Sequence, residues 1–253
     1  MDSFCVAFVC NFRYLDKFFE TCKTLIDVGE YYGPIVLIVG NDINVEALNK
    51  NPFLKKNKQI MVKCCPDIVF NKEVSAKIDK TNTQCGKFGY KLFQYHKYHL
   101  FTQFFKQWRY VFYIDCGAKI YDNIEPIMQT ARPNTLLAHS DAYPTYQWKL
   151  GCQFLGMDLN SDFDLNIDYF QSTIMLFDTS IIEDDTFQQL YELTEKYPVS
   201  TTNDQGILNL YFNCIKKKWK QIPMGNNSTY FYDFNVRNDD KPYIMTKYYV
   251  FND

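Results

Sequence analysis

The chain has only three histidines and no Cys-x-x-Cys pair, so the common zinc frameworks are excluded. It has no apolar run of roughly 18 residues, the length a membrane-spanning helix requires. It also lacks a basic excess: 27 Lys and Arg stand against 29 Asp and Glu, for a formal charge of −2. A nucleic-acid partner is therefore not expected, because phosphate backbones select basic faces. The 10 glycines and 9 prolines are spread along the chain, so no stretch has linker composition, and no segment repeats. The first ten residues carry no basic leader and turn polar at Asn11, which reads as a strand rather than a signal peptide. Nine cysteines, an odd number set mostly in apolar runs, fit buried thiols in a reducing, cytoplasmic setting.

What remains is ample core material: 47% apolar and 18% aromatic residues in 253, which suits one α/β unit over 1–253. Phe4–Cys10 is a continuous apolar run, as in a parallel strand covered on both faces. Arg13–Val28 carries Leu15, Phe18, Phe19, Cys22, Leu25 and Ile26 on one helical stripe. Pro34–Val39 is a second buried strand, and this strand–helix–strand start opens a doubly wound nucleotide-binding sheet. Ile43–Asn49 reads as a short helix and Gln59–Lys63 as a strand. Asn71–Gly89 reads as polar and irregular, and Tyr90–Gln107 as one long aromatic helix. Tyr110–Ile114, Leu136–Ala138 and Thr173–Phe177 are further strands, while Phe187–Tyr197 and Asp204–Asn213 are helices. The basic run Lys216–Lys220 reads as a solvated helix end, and short strands and turns follow Gln221.

In open α/β sheets ligands bind beyond the carboxyl ends of the strands, which directs attention to Asp115 and Gly117 after Tyr110–Ile114. A glycine two residues past that carboxylate leaves room for a diphosphate or a metal ion. Four segments in order resemble the glycogenin-like (family 8) glycosyltransferases. Ile114-Asp115-Cys116-Gly117 with Asn123-Ile124-Glu125 resembles their Asp-x-Asp strand end, and Lys97-Tyr98-His99-Leu100-Phe101 their Lys-Leu-His-x-Trp. Phe170-Gln171-Ser172-Thr173 resembles their Phe-Asn-Ser-Gly, and Asp204-Gln205-Gly206-Ile207-Leu208-Asn209 their Asp-Gln-Gly-x-Leu-Asn.

The resemblance implies a GT-A (Rossmann-like) fold: a mixed, mainly parallel sheet with helices on both faces. It implies a retaining enzyme that moves a sugar from a nucleotide-diphosphate donor, UDP-sugars favoured, to a glycan or protein acceptor. Asp115, Gln171, Asp204 and Gln205 take the catalytic positions; Asn11, Tyr14, Lys97, Gly117 and Lys241 take those facing the donor. In the family, Mn²⁺ or Mg²⁺ is held by both Asp-x-Asp carboxylates and a late histidine. Here only Asp115 is offered as a metal ligand, because Gly117 replaces the second Asp and no histidine follows His139. Either metal binding is weak and completed by the donor and water, or basic side chains replace the ion, with Arg237, Lys241 and Lys247 as the candidates. An inverting reaction would need a base, for which Asp204 or Asp168 would serve. The missing ligands also leave open a non-catalytic descendant that binds a nucleotide sugar or glycan. Several bland readings stand beside these. His99 suits core packing, Gln171 a buried amide, and Asp204 a helix cap. Tyr143, Tyr146, Trp148 and Phe154 would either stack on an acceptor sugar or close over the core.

Overall fold

The computed structural model describes residues 3–86, 91–142, 147–154 and 162–223, together with the strand backbones 232–233 and 246–248. Seven strands form the main sheet: β1 (Phe4–Cys10), β2 (Ile35–Val39), β3 (Ile60–Cys64), β4 (Tyr110–Ile114), β6 (Leu136–Ser140), β7 (Phe170–Asp178) and β8 (Trp219–Gln221). Their order is β3-β2-β1-β4-β7-β6-β8. The pairs β2–β3, β1–β2, β1–β4 and β6–β8 are parallel, while β7 runs antiparallel to both its neighbours. A small second sheet joins β5 (Ala118–Ile120), β10 (Thr246–Tyr248) and β9 (Tyr232–Asp233).

Alternation along β1 and β4 divides the core in two. Cys5, Ala7, Val111 and Tyr113 face one side, where α4 (Lys72–Gln84), α6 (Thr186–Lys196) and α7 (Asp204–Asn209) pack. Val6, Phe8, Phe112 and Ile114 face the other, against α1 (Leu15–Asp27), the short α2 (Val45–Leu48) and α3 (Pro52–Lys56), and α5 (Glu125–Met128). Both faces are covered, which is why these strands are apolar throughout instead of alternating with polar residues. The expected doubly wound, mainly parallel sheet is the observed one.

Three expectations need correction. Residues 72–84 form a helix in place of the irregular stretch. Asn71 caps it by accepting from the Val74 N–H at 2.9 Å, and Val74 and Ile78, one turn apart, are buried. Residues 87–89 of that stretch lie outside the described residues. The long aromatic helix is instead two 3₁₀ runs, Lys91–Phe101 and Gln103–Gln107, broken where Thr102 turns extended (ψ 162°). Rings there are buried in every direction (Tyr95, Tyr98, Phe101, Phe105), so core packing overrides α-helical propensity. Finally, the basic run is a helix end only at its first residue: Lys216 caps the π-helical turn Leu210–Ile215, Lys217 then turns to φ 51°, and Trp219–Lys220 join the sheet edge in β8.

Candidate active site

Strands β4 and β6 end side by side with β7 between them, and β7 runs the other way. Its first residues, Phe170, Gln171 and Ser172, are thus delivered to the carboxyl ends of the parallel strands. Helix α7 is tied to the same spot. The Asn209 carboxamide accepts from the Phe170 N–H at 2.9 Å and donates to the Phe170 carbonyl at 2.8 Å. Asn209, the last residue of the Asp-Gln-Gly-x-Leu-Asn segment, is therefore the clamp that brings Asp204 and Gln205 against β7.

Lys97 lies at the centre, its side chain only 7% exposed. Its ammonium is 3.2 Å from Asp204 Oδ2 and 3.4 Å from Asp115 Oδ1, and it donates to the Ser172 carbonyl at 3.1 Å. Burial pulls the Lys97 pKa down, but Asp115 and then Asp204 outweigh burial and hold the ammonium above its ordinary range. Asp204 is buried and its pKa is raised by that burial, with Lys97 and the Ser172 hydroxyl pulling it partly back. Ser172 Oγ donates to Asp204 Oδ2 at 2.7 Å. The Asp204 carboxylate is thus committed to Lys97 and Ser172 and does not cap α7, whose N-cap residue Asn203 makes no side-chain cap bond. Asn203 itself sits at φ 55°, ψ −108°, a strained conformation for a residue with a Cβ, directly before the key carboxylate.

Asp115 follows β4, its N–H bonded to the Thr173 carbonyl at 2.9 Å, and it accepts from the Tyr113 hydroxyl. Burial, then Asp115 itself, raises the Tyr113 pKa, so this phenol stays a donor. Gly117 has φ 104°, a region that favours glycine, and its N–H donates to Thr21 Oγ1 at 2.9 Å. The departure from Asp-x-Asp is therefore built into the backbone of the turn: an aspartate at 117 would be strained before it could hold a metal.

Gln205 and Gln171 are joined through a carboxylate that sequence reasoning missed. Asp141, directly after β6, accepts from Gln171 Nε2 at 2.7 Å and from Gln205 Nε2 at 3.1 Å. Gln205 Oε1 accepts from the Ser172 N–H at 3.2 Å. Gln153 also meets this cluster, its Oε1 3.4 Å from Gln205 Nε2 and bonded by the Thr202 hydroxyl. The available signal for Asp141 was its place at the end of an apolar strand, the same context as Asp115. The structure brings Asp115, Lys97, Gln171, Asp204 and Gln205 into one network from four places in the chain: the end of β4, the first 3₁₀ run, β7 and α7.

A second group lies at the ends of β1 and β2. Asn11 is buried and its Oδ1 has no hydrogen-bond partner. Gly40, after β2, has no room for a Cβ, which would lie 2.6 Å from Asp67 Oδ1 and 3.2 Å from His96 Nε2. His96 stacks on Phe93 with ring centroids 4.2 Å apart, and its buried Nδ1 is also unpartnered. Tyr14 is partly exposed, with the Lys17 ammonium 4.7 Å from its ring centroid. His99 contacts the Pro66 carbonyl at 3.1 Å and packs on Phe187, the core reading. Phe154 is buried and so unavailable to an acceptor, whereas Trp148 is exposed. Lys241, Arg237, Tyr143 and Tyr146 lie outside the described residues, as does the Lys247 side chain.

Burial, followed by the neighbouring His99, pushes His96 down to about 4, against the opposing pull of Asp67 and Asp42. A depressed folded pKa means that His96 favours folding fully above its ordinary 6.5 and that this contribution is lost as pH falls toward 4. The loss amounts to roughly 3 kcal/mol at about 1.4 kcal/mol per pKa unit. Urea unfolding at pH 7 and pH 4.5 should therefore show wild type losing more stability on acidification than His96→Gln. Parallel losses in the two proteins would contradict this assignment.

No protein-family model matches the chain, and no curated protein matches its sequence. Solved structures match its fold. The galactosyltransferase LgtC in complex with donor and acceptor sugar analogs aligns with TM-score 0.57 at 16% identity, over 86% of this chain and 72% of that one. An active-site mutant of LgtC gives 0.61 at 14% identity, over 97% and 87%. Mouse xyloside xylosyltransferase 1 gives 0.50 at 11% identity, over 86% and 84%. At such identities the likeness establishes the fold, which is that of the GT-A glycosyltransferases.

Proposed function

We propose that this chain is a nucleotide-sugar-dependent glycosyltransferase of retaining type, with UDP-sugars as favoured donors and a glycan or protein as acceptor. The observation that supports this best is the buried network of Asp115, Lys97, Ser172, Asp204, Gln205, Asp141 and Gln171 at the carboxyl ends of β4 and β6. A buried charged cluster is costly as scaffolding, and it lies where this class of sheet binds its ligands. In sugar transfer, negative charge grows on the departing diphosphate, and a preorganised cation aimed at it lowers the barrier. Lys97 is that cation among the described residues, with Lys241, Lys247 and Arg237 as further proposals. Asp204 and the two carboxamides suit the sugar hydroxyls, which would fix the anomeric carbon for attack. The unpartnered Asn11 Oδ1 and His96 Nδ1 suit a nucleoside, with Tyr14 as a stacking face. Retention rests on the sequence resemblance alone, and product anomer NMR would test it.

The described residues do not make a ready site for Mn²⁺ or Mg²⁺. They include no group of three His, Cys, Asp or Glu that could hold an ion, and Asp115 is engaged by Lys97 and Tyr113. Such hard cations take about six oxygens, more than these residues offer. The same deficit favours a second reading, a non-catalytic nucleotide-sugar binder.

Thermal shift with UDP-glucose, UDP-galactose, GDP-mannose and dTDP-glucose separates these. A donor at 100 times its Kd adds about 2.7 kcal/mol, here a shift of roughly 5–10 °C. UDP-sugars should shift the melting temperature, and the shift and slow donor hydrolysis should partly persist in excess EDTA. A shift without hydrolysis supports the binder; no shift with any donor overturns both readings.

A further inference from the structure

We propose that Asp141 is a positioning residue that fixes the orientation of the Gln171 and Gln205 carboxamides. Its geometric part stands on its own; its effect on turnover rests on the glycosyltransferase reading. The strand end carrying Asp141 is itself held from two sides. The Ser140 N–H donates to Gln221 Oε1 at 2.7 Å, and Ser140 Oγ donates to Asp168 Oδ1 at 2.7 Å. An ionised carboxylate only accepts hydrogen bonds, so each amide that meets it must present NH₂. Asp141 Oδ1 takes Gln171 Nε2 at 2.7 Å, and Oδ2 takes Gln205 Nε2 at 3.1 Å.

Neither amide can turn over without setting a carbonyl oxygen against a carboxylate. Gln205 is locked at its other end too, because a turn would set its NH₂ against the Ser172 N–H it now accepts from at 3.2 Å. Orientation therefore passes from Asp141 through Gln205 to Ser172, the residue that holds both Asp204 and Lys97. Gln171, with its Nε2 bonded to Asp141, keeps its carbonyl oxygen directed away from that carboxylate. Asp141 has this influence without belonging to any of the four segments that carry the family resemblance.

Asp141→Asn tests the idea on the full chain, because asparagine offers one acceptor and one donor where two acceptors are needed. At least one glutamine must then turn or lose its partner. Adding Gln171→Glu restores a matched set: the introduced asparagine donates its NH₂ to the new carboxylate while its oxygen accepts from Gln205. In ligand-free protein, the side-chain amide NMR signals of Gln171 and Gln205 should be shifted from free-amide positions and slow to exchange. Asp141→Asn should move at least one of them to free values, and the double variant should return that of Gln205. With UDP-glucose or UDP-galactose hydrolysis as probe, kcat should fall about 10- to 100-fold in the single variant, the scale of a misplaced group. KM should change less than about threefold, and the double variant should recover a large part of kcat. Unmoved amide signals, or moved signals with unchanged kcat, would overturn the proposal. A wild-type chain that hydrolyses neither donor would refute the turnover effect together with the reading it rests on, while the amide signals still decide the geometry.

Discussion

Lys97→Met should be among the most destabilising single changes in the chain, with a loss of about 3–5 kcal/mol, the scale for breaking a buried pair. Methionine keeps most of the length of the side chain and removes the ammonium. Asp204, 2% exposed, would then be left with the Ser172 hydroxyl and without its neutralising cation. A melting temperature about 10 °C lower is the corresponding reading for a chain of this size. The effect has a pH signature. Burial already raises Asp204, and Lys97 is the main influence holding it down, so its removal raises that carboxyl further. A raised folded pKa confers stability at low pH that is lost as pH rises through it. The variant should therefore be closer to wild type at pH 5 than at pH 8. Adding Asp204→Asn should recover at least half of the loss by leaving a neutral amide in place of an orphaned charge. A drop below about 2 °C in the single variant would mean that the attraction merely balances the desolvation of the lysine.

Asp115→Asn should leave the fold nearly intact and remove most turnover. The residue is 19% exposed, and Lys97 keeps Asp204 as its counter-ion, so little stability depends on it. The Tyr113 hydroxyl can still donate to the asparagine oxygen. What disappears is one of the two negative charges that flank the Lys97 ammonium. Loss of one electrostatic stabiliser of a transition state costs about 10²-fold or more in kcat. Single-turnover donor hydrolysis at saturating UDP-sugar measures it, with thermal melting as the control. Wild-type rates in this variant would remove Asp115 from the chemistry and point to Lys97 acting with Asp204 alone.

The main sheet was legible because its strands are covered on both faces, so Phe4–Cys10, Pro34–Val39 and Tyr110–Ile114 stand out as unbroken apolar runs. Helix α4 was hidden for the opposite reason: only Val74 and Ile78 of its thirteen residues are buried hydrophobics, too few for a visible stripe. Strands β5 and β8 are three residues each and take their conformation from the partner strand. Among the site residues, Asp115, Lys97, Gln171, Asp204 and Gln205 were identifiable from four ordered segments. Asp141 was not, because its significance depends on β7 running antiparallel between β4 and β6, and a local pattern does not report strand direction. Gly117 reads in the sequence as a missing ligand; its φ of 104° adds the reason, a turn that aspartate would strain.

The pairing of Lys97 with Asp204 has a consequence for biosynthesis. At about 5–20 residues per second, the ribosome takes roughly 5–20 s to add Asp204 after Lys97. Once Asp115 has been added, β1–β4 can collapse around their aromatic core, yet until Asp204 follows the lysine they would enclose has only Asp115 to neutralise it. Nascent chains halted before Asp204 should therefore leave the Lys97 segment open to protease, and chains extended past Asn209, whose clamp seats α7 on β7, should close it.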